Sequence, residues 1–310
     1  QFMNYCMPAF MANVEALARH RLVMRTIHGV KEADLSFDLW GAKLSMPVLA
    51  APMTGTPYNM GGKMTEEEFI TEIVEGSLLA GTSGMTGDGA DPTMYDSGLK
   101  AGAAHHGRTI AIIKPRQQGE IIKRIRQAEA AGVLAIGMDI DGAGLVTMAL
   151  KGQPVSTKTF DELKEVVAAT SLPFVLKGVM TPEEAELAVK AKAAAIVVSN
   201  HGGRVLDFTP GVAEVLPRIA DRVRGKIAIF ADGGVRSGAD VLKLLALGAD
   251  AVLIGRPLIV GAFGNGREGV AFLLNKMKSE LLQTMVLTGT ADVKKASRDI
   301  LYRDIAGPAR

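Results

Sequence analysis

The chain of 310 residues is 48% hydrophobic with a formal net charge of +2, enough apolar content for one large core and too little basic excess for an extended nucleic-acid surface. Cys6 is the sole cysteine, which excludes an intrachain disulfide; no Cys/His set has zinc spacing, so no metal is expected, and a reducing cytoplasm suits the chain. No apolar run reaches about 18 residues, so no membrane span is expected, and Gln1 to Phe10 lack the basic start and long apolar stretch of a signal peptide.

Residues 1–45 precede the first strand and are expected to form an N-terminal cap. Val48–Met53 is the first strand, followed by Asn59-Met60-Gly61-Gly62, read as a turn rather than an approach to a bound cofactor, and a helix over Glu66–Leu79. That helix is acidic at its start, as a helix N-terminus prefers. Strands at Thr82–Thr86 and Thr109–Lys114 come next, with His105-His106 in a solvated loop before the second. Gln118–Ala131 places Ile121, Ile122 and Ile125 at helical spacing and leads into a strand over Ala135–Asp141. Gly142–Thr159 shows no clear pattern; lying after a strand at the barrel mouth, it is the expected lid. A helix over Phe160–Ala168 and a strand over Phe174–Gly178 follow. Thr181-Pro182-Glu183-Glu184 is a strong helix start, with a Thr cap, Pro at the first position and acids in the first turn. The remaining strands, Ala195–Asn200, Ile227–Asp232 and Ala251–Gly255, alternate with helices over Gly211–Arg222 and Ser237–Leu247, and Arg267–Met285 closes the chain. Strict βα alternation implies a parallel sheet, and eight units fit a closed α/β (β/α)8 TIM barrel over residues 46–310, a single domain with the cap segment.

The last three strands end in chemistry. Ser199-Asn200-His201-Gly202-Gly203-Arg204 supplies a base and an anion clamp. Asp232-Gly233-Gly234-Val235-Arg236 and Gly255-Arg256-Pro257 supply glycines and arginines, as a phosphate site after strands seven and eight of a barrel needs. Glycine-rich strand ends let backbone N–H groups reach a phosphate, and arginine adds a bidentate fork. No dinucleotide Gly-x-Gly-x-x-Gly fingerprint follows the first strand, which points to a mononucleotide.

Together with Lys177-Gly178-Val179, these motifs resemble the FMN-dependent 2-hydroxy-acid oxidase and dehydrogenase family, which includes glycolate oxidase, lactate oxidase and flavocytochrome b2. The likeness is dense from Leu172 to Pro257 and looser from Leu44 to Asp141. It implies bound FMN, a homotetramer or larger assembly, and oxidation of a small anionic 2-hydroxy acid to the 2-oxo acid, with dioxygen or a redox partner as acceptor. It implies that His201 is the base, with Asp141 behind it and Lys177 at the flavin N1/O2 edge. Arg204 would bind the substrate carboxylate; Gly234, Arg236, Gly255 and Arg256 would form the phosphate site; Asp232 would contact the ribityl chain and Ser199 would lie beneath the ring. Ala51, Pro52, Met53, Ser83, Lys114 and Asp139 are further expected flavin contacts.

The departures lie around the substrate. Where the family has a glutamine and a tyrosine, this chain has Lys114 and Arg116; where it has a threonine on the fourth strand, this chain has Asp139. The position of a second carboxylate-binding arginine holds Met148, and no arginine lies between Ala128 and Arg204. Tyr5 is the only early candidate for the family's N-terminal tyrosine. Lys114 and Arg116 either add positive charge for the substrate, with Arg116 as a substrate ligand, or pair with Asp139 as structure. A second reading keeps the flavin but not the oxidation, as in type 2 isopentenyl-diphosphate isomerase; a third is a non-enzymatic phosphate-ligand binder.

Overall fold

A computed structural model describes residues 7–302, so Tyr5 and Cys6 lie outside the described residues. Helix α1 (Met7–Arg19) leads into a β1–β2 hairpin (Phe37–Leu39, Ala42–Leu44). The hairpin turn places Trp40 and Gly41 at φ 49° and 90°, the left-handed pair that a two-residue hairpin favours. Leu39 and Leu44 are buried with Leu49, Met85, Ile110, Val175, Val197 and Leu253, and Trp40 sits 6.0 Å from the Phe230 ring. The hairpin thus plugs the N-terminal end of the barrel.

The barrel itself is β3 (Val48–Ala50), β4 (Gly84–Thr86), β5 (Thr109–Ile113), β6 (Ala135–Asp139), β7 (Phe174–Val179), β8 (Ala195–Val198), β9 (Ala228–Ala231) and β10 (Ala251–Ile254). All eight pair in parallel, and β10 closes on β3 through Val252 and Val48. Side chains alternate: Ile110 and Ile112 face the barrel interior while Ala111 and Ile113 face the helices. Most strands stop one to three residues short of the apolar runs, because the final residues turn out of the ladder to form the mouth. β7 runs one residue longer, with a register break between Lys177 and Val179.

The helices between them are α2 (Thr56–Asn59), α3 (Glu66–Leu79), α4 (Pro92–Ala104), α5 (Gln118–Ala130), α6 (Val146–Leu150), α7 (Phe160–Ala168), α8 (Pro182–Lys190), α9 (Val212–Val223), α10 (Gly238–Leu247) and α11 (Arg256–Thr288). Thr181 caps α8 as its sequence predicts. α11 starts earlier than expected and is two helices joined at Asn265 and Gly266, whose backbone is not helical. No helix among the described residues is long and apolar enough to cross a membrane.

The expected lid is a correction. Residues 142–159 form a 3₁₀ turn, α6 and a loop fastened to the end of β5: Ser156 N donates to the Pro115 carbonyl at 2.9 Å and Lys158 Nζ to the Arg116 carbonyl at 2.6 Å. Met148 is buried, and no residue of the segment lines the cavity.

Candidate active site

The turn after β8 carries the base. His201, Gly202 and Gly203 have φ of 57°, 64° and 78°, three left-handed residues in a row. Two are glycines, for which this costs little; His201 is held there against its preference, as residues at working sites often are. Gly203 is needed for a second reason: a Cβ on it would lie 2.6 Å from the backbone N of Phe10 in α1. The turn is also pinned from beneath. Ser199 Oγ accepts from His201 N at 3.0 Å and donates to Asp232 Oδ2 at 2.7 Å.

His201 Nδ1 lies 3.1 Å from both oxygens of Asp141. A neutral imidazole donating from Nδ1 keeps its lone pair on Nε2, the arrangement a general base needs. Asp141 can approach because β7 bulges at Gly178, where a Cβ would meet the Asp141 carboxyl at 2.5 Å. Asp139 Oδ1 is 3.6 Å from the same Nδ1. Asp139 is 2% exposed and accepts from Lys114 Nζ at 2.5 Å and Lys177 Nζ at 2.8 Å. Burial alone would raise its pKa; the charges of His201, Lys114 and Lys177 outweigh that and hold it well below the usual carboxylate range. For Lys177, burial would favour the neutral amine, but Asp139, Asp141 and Asp232 overcome it and raise its pKa, keeping it cationic. Asp139, Asp141 and His201 offer ligand atoms within 4.8 Å of one another, but the two ammonium groups already on Asp139 oppose a metal there.

A cavity of about 430 Å³ opens at the C-terminal end of the barrel, large enough for a small cofactor. Ala51, Pro52, Met53, Lys177, His201 and Arg204 line it, together with Asp232, Gly234, Arg236, Gly255 and Arg256. Asp232 Oδ1 is buried with no hydrogen-bond partner, and burial raises the Asp232 pKa, partly offset by Lys177. An orphaned carboxylate oxygen in a cavity wall fits a ligand hydroxyl. Gly233 and Gly234, at φ 90° and 79°, make the tight turn that brings backbone N–H groups toward an anion, with Arg236 and Arg256 on the same wall. These features fit the ribityl and phosphate groups of FMN.

Several expected contacts stand behind the wall. Lys114, Asp139 and Ser199 are buried and do not line the cavity. Ser83 is a correction: it precedes β4, at the closed end of the barrel, and its hydroxyl donates to the Arg108 carbonyl at 2.8 Å. Arg116 is another. It is 3% exposed, its Nε and Nη2 hold Asp88 at 2.8 and 3.0 Å, and Gly89 O and Gln153 Oε1 accept from Nη2 and Nη1 at 2.5 Å each. Lys114 pairs with Asp139 as one reading expects; Arg116 pairs with Asp88 instead. Asp88 escaped the sequence reading, although Gly87-Asp88-Gly89 ends a strand in the same style as the other sites. Phe10 was also missed, and Asn59, expected in a turn, lines the cavity. Phe10 stacks on the Arg256 guanidinium at 4.7 Å, and Asn59 Oδ1 accepts from Arg204 Nη2 at 3.3 Å.

The sequence profile of the FMN-dependent dehydrogenase family matches residues 7–151 and 146–303. The chain belongs to this family. It is an FMN-dependent oxidoreductase. A 2-hydroxyacid oxidase of Dictyostelium discoideum is 32% identical over 94% of this chain and 81% of its own length. Glycolate oxidase 1 of Oryza sativa is 31% identical over 96% of this chain and 88% of its own. A crystal structure of mandelate oxidase with (S)-2-phenylpropionate superposes with a TM-score of 0.81 at 31% identity, covering 95% of this chain and 89% of the other. These relatives are oxidases, and they give the isomerase and simple-binder readings no support.

Proposed function

We propose that the chain oxidises a small 2-hydroxy acid to the 2-oxo acid. The observation that carries this reading is that His201, backed by Asp141, lines the same cavity as Arg204. Arg204 holds the substrate carboxylate, and His201 Nε2 takes the hydroxyl proton while Asp141 steadies the imidazolium through Nδ1. When bound, FMN supplies the acceptor for the α-hydrogen and its electron pair. Arg236, Arg256 and the Gly234 and Gly255 turns would hold its phosphate, Asp232 its ribityl chain, and Ala51, Pro52, Met53 and Lys177 its ring. The relatives named for 2-hydroxy acids and glycolate support the substrate class. The sole cysteine supports a reducing compartment such as the cytoplasm, and the family resemblance supports a homo-oligomer.

Anaerobic mixing with a panel of 2-hydroxy acids tests the reading. At least one acid should bleach the flavin absorbance, and His201→Gln should retain FMN while slowing bleaching by about 10²–10⁴-fold. A wild-type flavin that no acid reduces, or a His201→Gln variant within a few-fold of wild type, would sink it.

A further inference from the structure

We propose that Asp139 is a second carboxylate partner of His201, a positioning residue that shares the imidazolium with Asp141 and is clamped for that purpose between Lys114 and Lys177. This rests on the proposed role of His201 as base.

The geometry is specific. Asp139 Oδ2 faces Lys114 Nζ at 2.5 Å, while Oδ1 faces both Lys177 Nζ at 2.8 Å and His201 Nδ1 at 3.6 Å. The two ammonium groups bind opposite oxygens, so the carboxylate cannot rotate away from the ring. Lys114 is itself tied down: its backbone N donates to Asp88 Oδ2 at 3.1 Å, and Asp88 is gripped by Arg116. A run of buried charges therefore leads from β4 to the base.

Stability alone is a poor reason for such a run. Buried ion pairs lose much of their attraction to desolvation, and apolar residues of similar volume often stabilise as well or better. The charge balance suggests what the run does. Two ammonium charges, on Lys114 and Lys177, meet two carboxylates, on Asp139 and Asp141. Asp232 adds a third carboxylate acting on Lys177 and the ring, so with His201 neutral the group carries an excess negative charge, and a proton on His201 offsets it within 3.6 Å of both Asp139 and Asp141. Asp232 from β9 also acts on the ring, and Arg256 reaches this turn through the Gly202 carbonyl at 2.8 Å. Asp139 thus adds to the favourable field at the moment the proton transfers, on an oxygen already fixed in place.

The test uses two holoenzymes. Asp139→Asn leaves two lysines without their carboxylate and is the direct probe. Lys114→Gln/Asp139→Thr removes one charge of each sign and guards against misfolding of the first. For the double variant, FMN content and KM should stay within about twofold of wild type while the anaerobic reduction rate falls about tenfold or more. The ¹⁵N resonances of His201 in the oxidised enzyme provide a readout that needs no substrate. In Asp139→Asn their titration midpoint should move to lower pH, as loss of a nearby opposite charge requires, and in the double variant by less, since the like charge of Lys114 leaves with it. An unchanged midpoint would overturn the proposal even if the hydroxy-acid reading stands. A shifted midpoint would uphold it even if no hydroxy acid reduced the flavin. Loss of FMN with a wild-type His201 titration would assign Asp139 to the flavin and overturn it too.

Discussion

Arg204 lines the cavity, whereas the guanidinium of Arg116 is buried against Asp88, the Gly89 carbonyl and Gln153. The two arginines should therefore fail differently. Arg204→Met removes a charge-assisted hydrogen bond to the substrate, about 1.5–3 kcal/mol, and should raise KM by roughly 10- to 150-fold. Arg116→Ala strands a buried carboxylate and should destabilise the fold by about 3 kcal/mol, the low end for a broken buried pair, because Arg124 remains 3.6 Å from Asp88. Urea midpoints and saturation curves for both variants check this; a large KM effect in Arg116→Ala with unchanged stability would reverse the assignment. His201, Arg204 and Lys177 were legible because charged residues at the ends of apolar strands have few structural uses. Arg116 was not, because its fate depends on Asp88, a partner 28 residues away that no local pattern reveals.

At the scale of elements, α1 is the piece the sequence concealed and the site depends on. Asn13, 1% exposed, donates to Asn200 Oδ1 at 2.8 Å and accepts from Val212 N at 3.0 Å, joining α1 to the β8 turn and to α9. Gly233 and Gly234 pack so closely that a Cβ on either would come within 3.0 Å of Asn13 atoms. Asn13→Ala leaves the buried Val212 N–H unpaired and takes one of two donors from Asn200 Oδ1, a cost of about 1–3 kcal/mol, and should weaken FMN binding because the phosphate turn loses its backing. Fluorescence titration of the apoprotein with FMN checks it; unchanged affinity would make α1 a packing element only. The eight strands were legible because each is a short apolar run ended by glycine or a polar residue. α4 was not, since Gly98 and Gly102 interrupt its apolar signal; their bare backbones sit against Thr86 and Thr109. The hairpin plug was missed because strands of three residues hold too little pattern to read.

Across the whole molecule, buried carboxylates pull in opposite directions with pH. Asp139 is held below its unfolded value despite burial, so its contribution is complete above that value and is lost as pH falls through the folded one. Asp232, Glu66 and Asp250 are raised, chiefly by burial; each penalises the folded state at neutral pH, and the penalty lifts as pH falls below the folded value. Asp232→Asn should therefore stabilise the apoprotein at pH 7 and lose that advantage in acid, while weakening FMN binding. Thermal unfolding of the apoprotein at both pH values checks the sign; a less stable variant at pH 7 would refute it. The barrel was legible as a whole because eight alternating units leave few other ways to close. The site's walls join the two ends of that order. Phe10 stacks on Arg256, Ala9 N donates to Asp207 Oδ1 at 3.0 Å, and β3 pairs with β10. During synthesis α1 therefore leaves the ribosome long before the surfaces that receive it exist. Contacts of such high contact order form late, so α1, made well before β10, is among the last helices to dock, and the nascent chain cannot complete its cofactor wall until β10 has emerged. Loading of FMN then follows the emergence of β10 and Arg256, and until then Asp232 and the phosphate arginines stand in a half-built pocket that the quality-control machinery can reach.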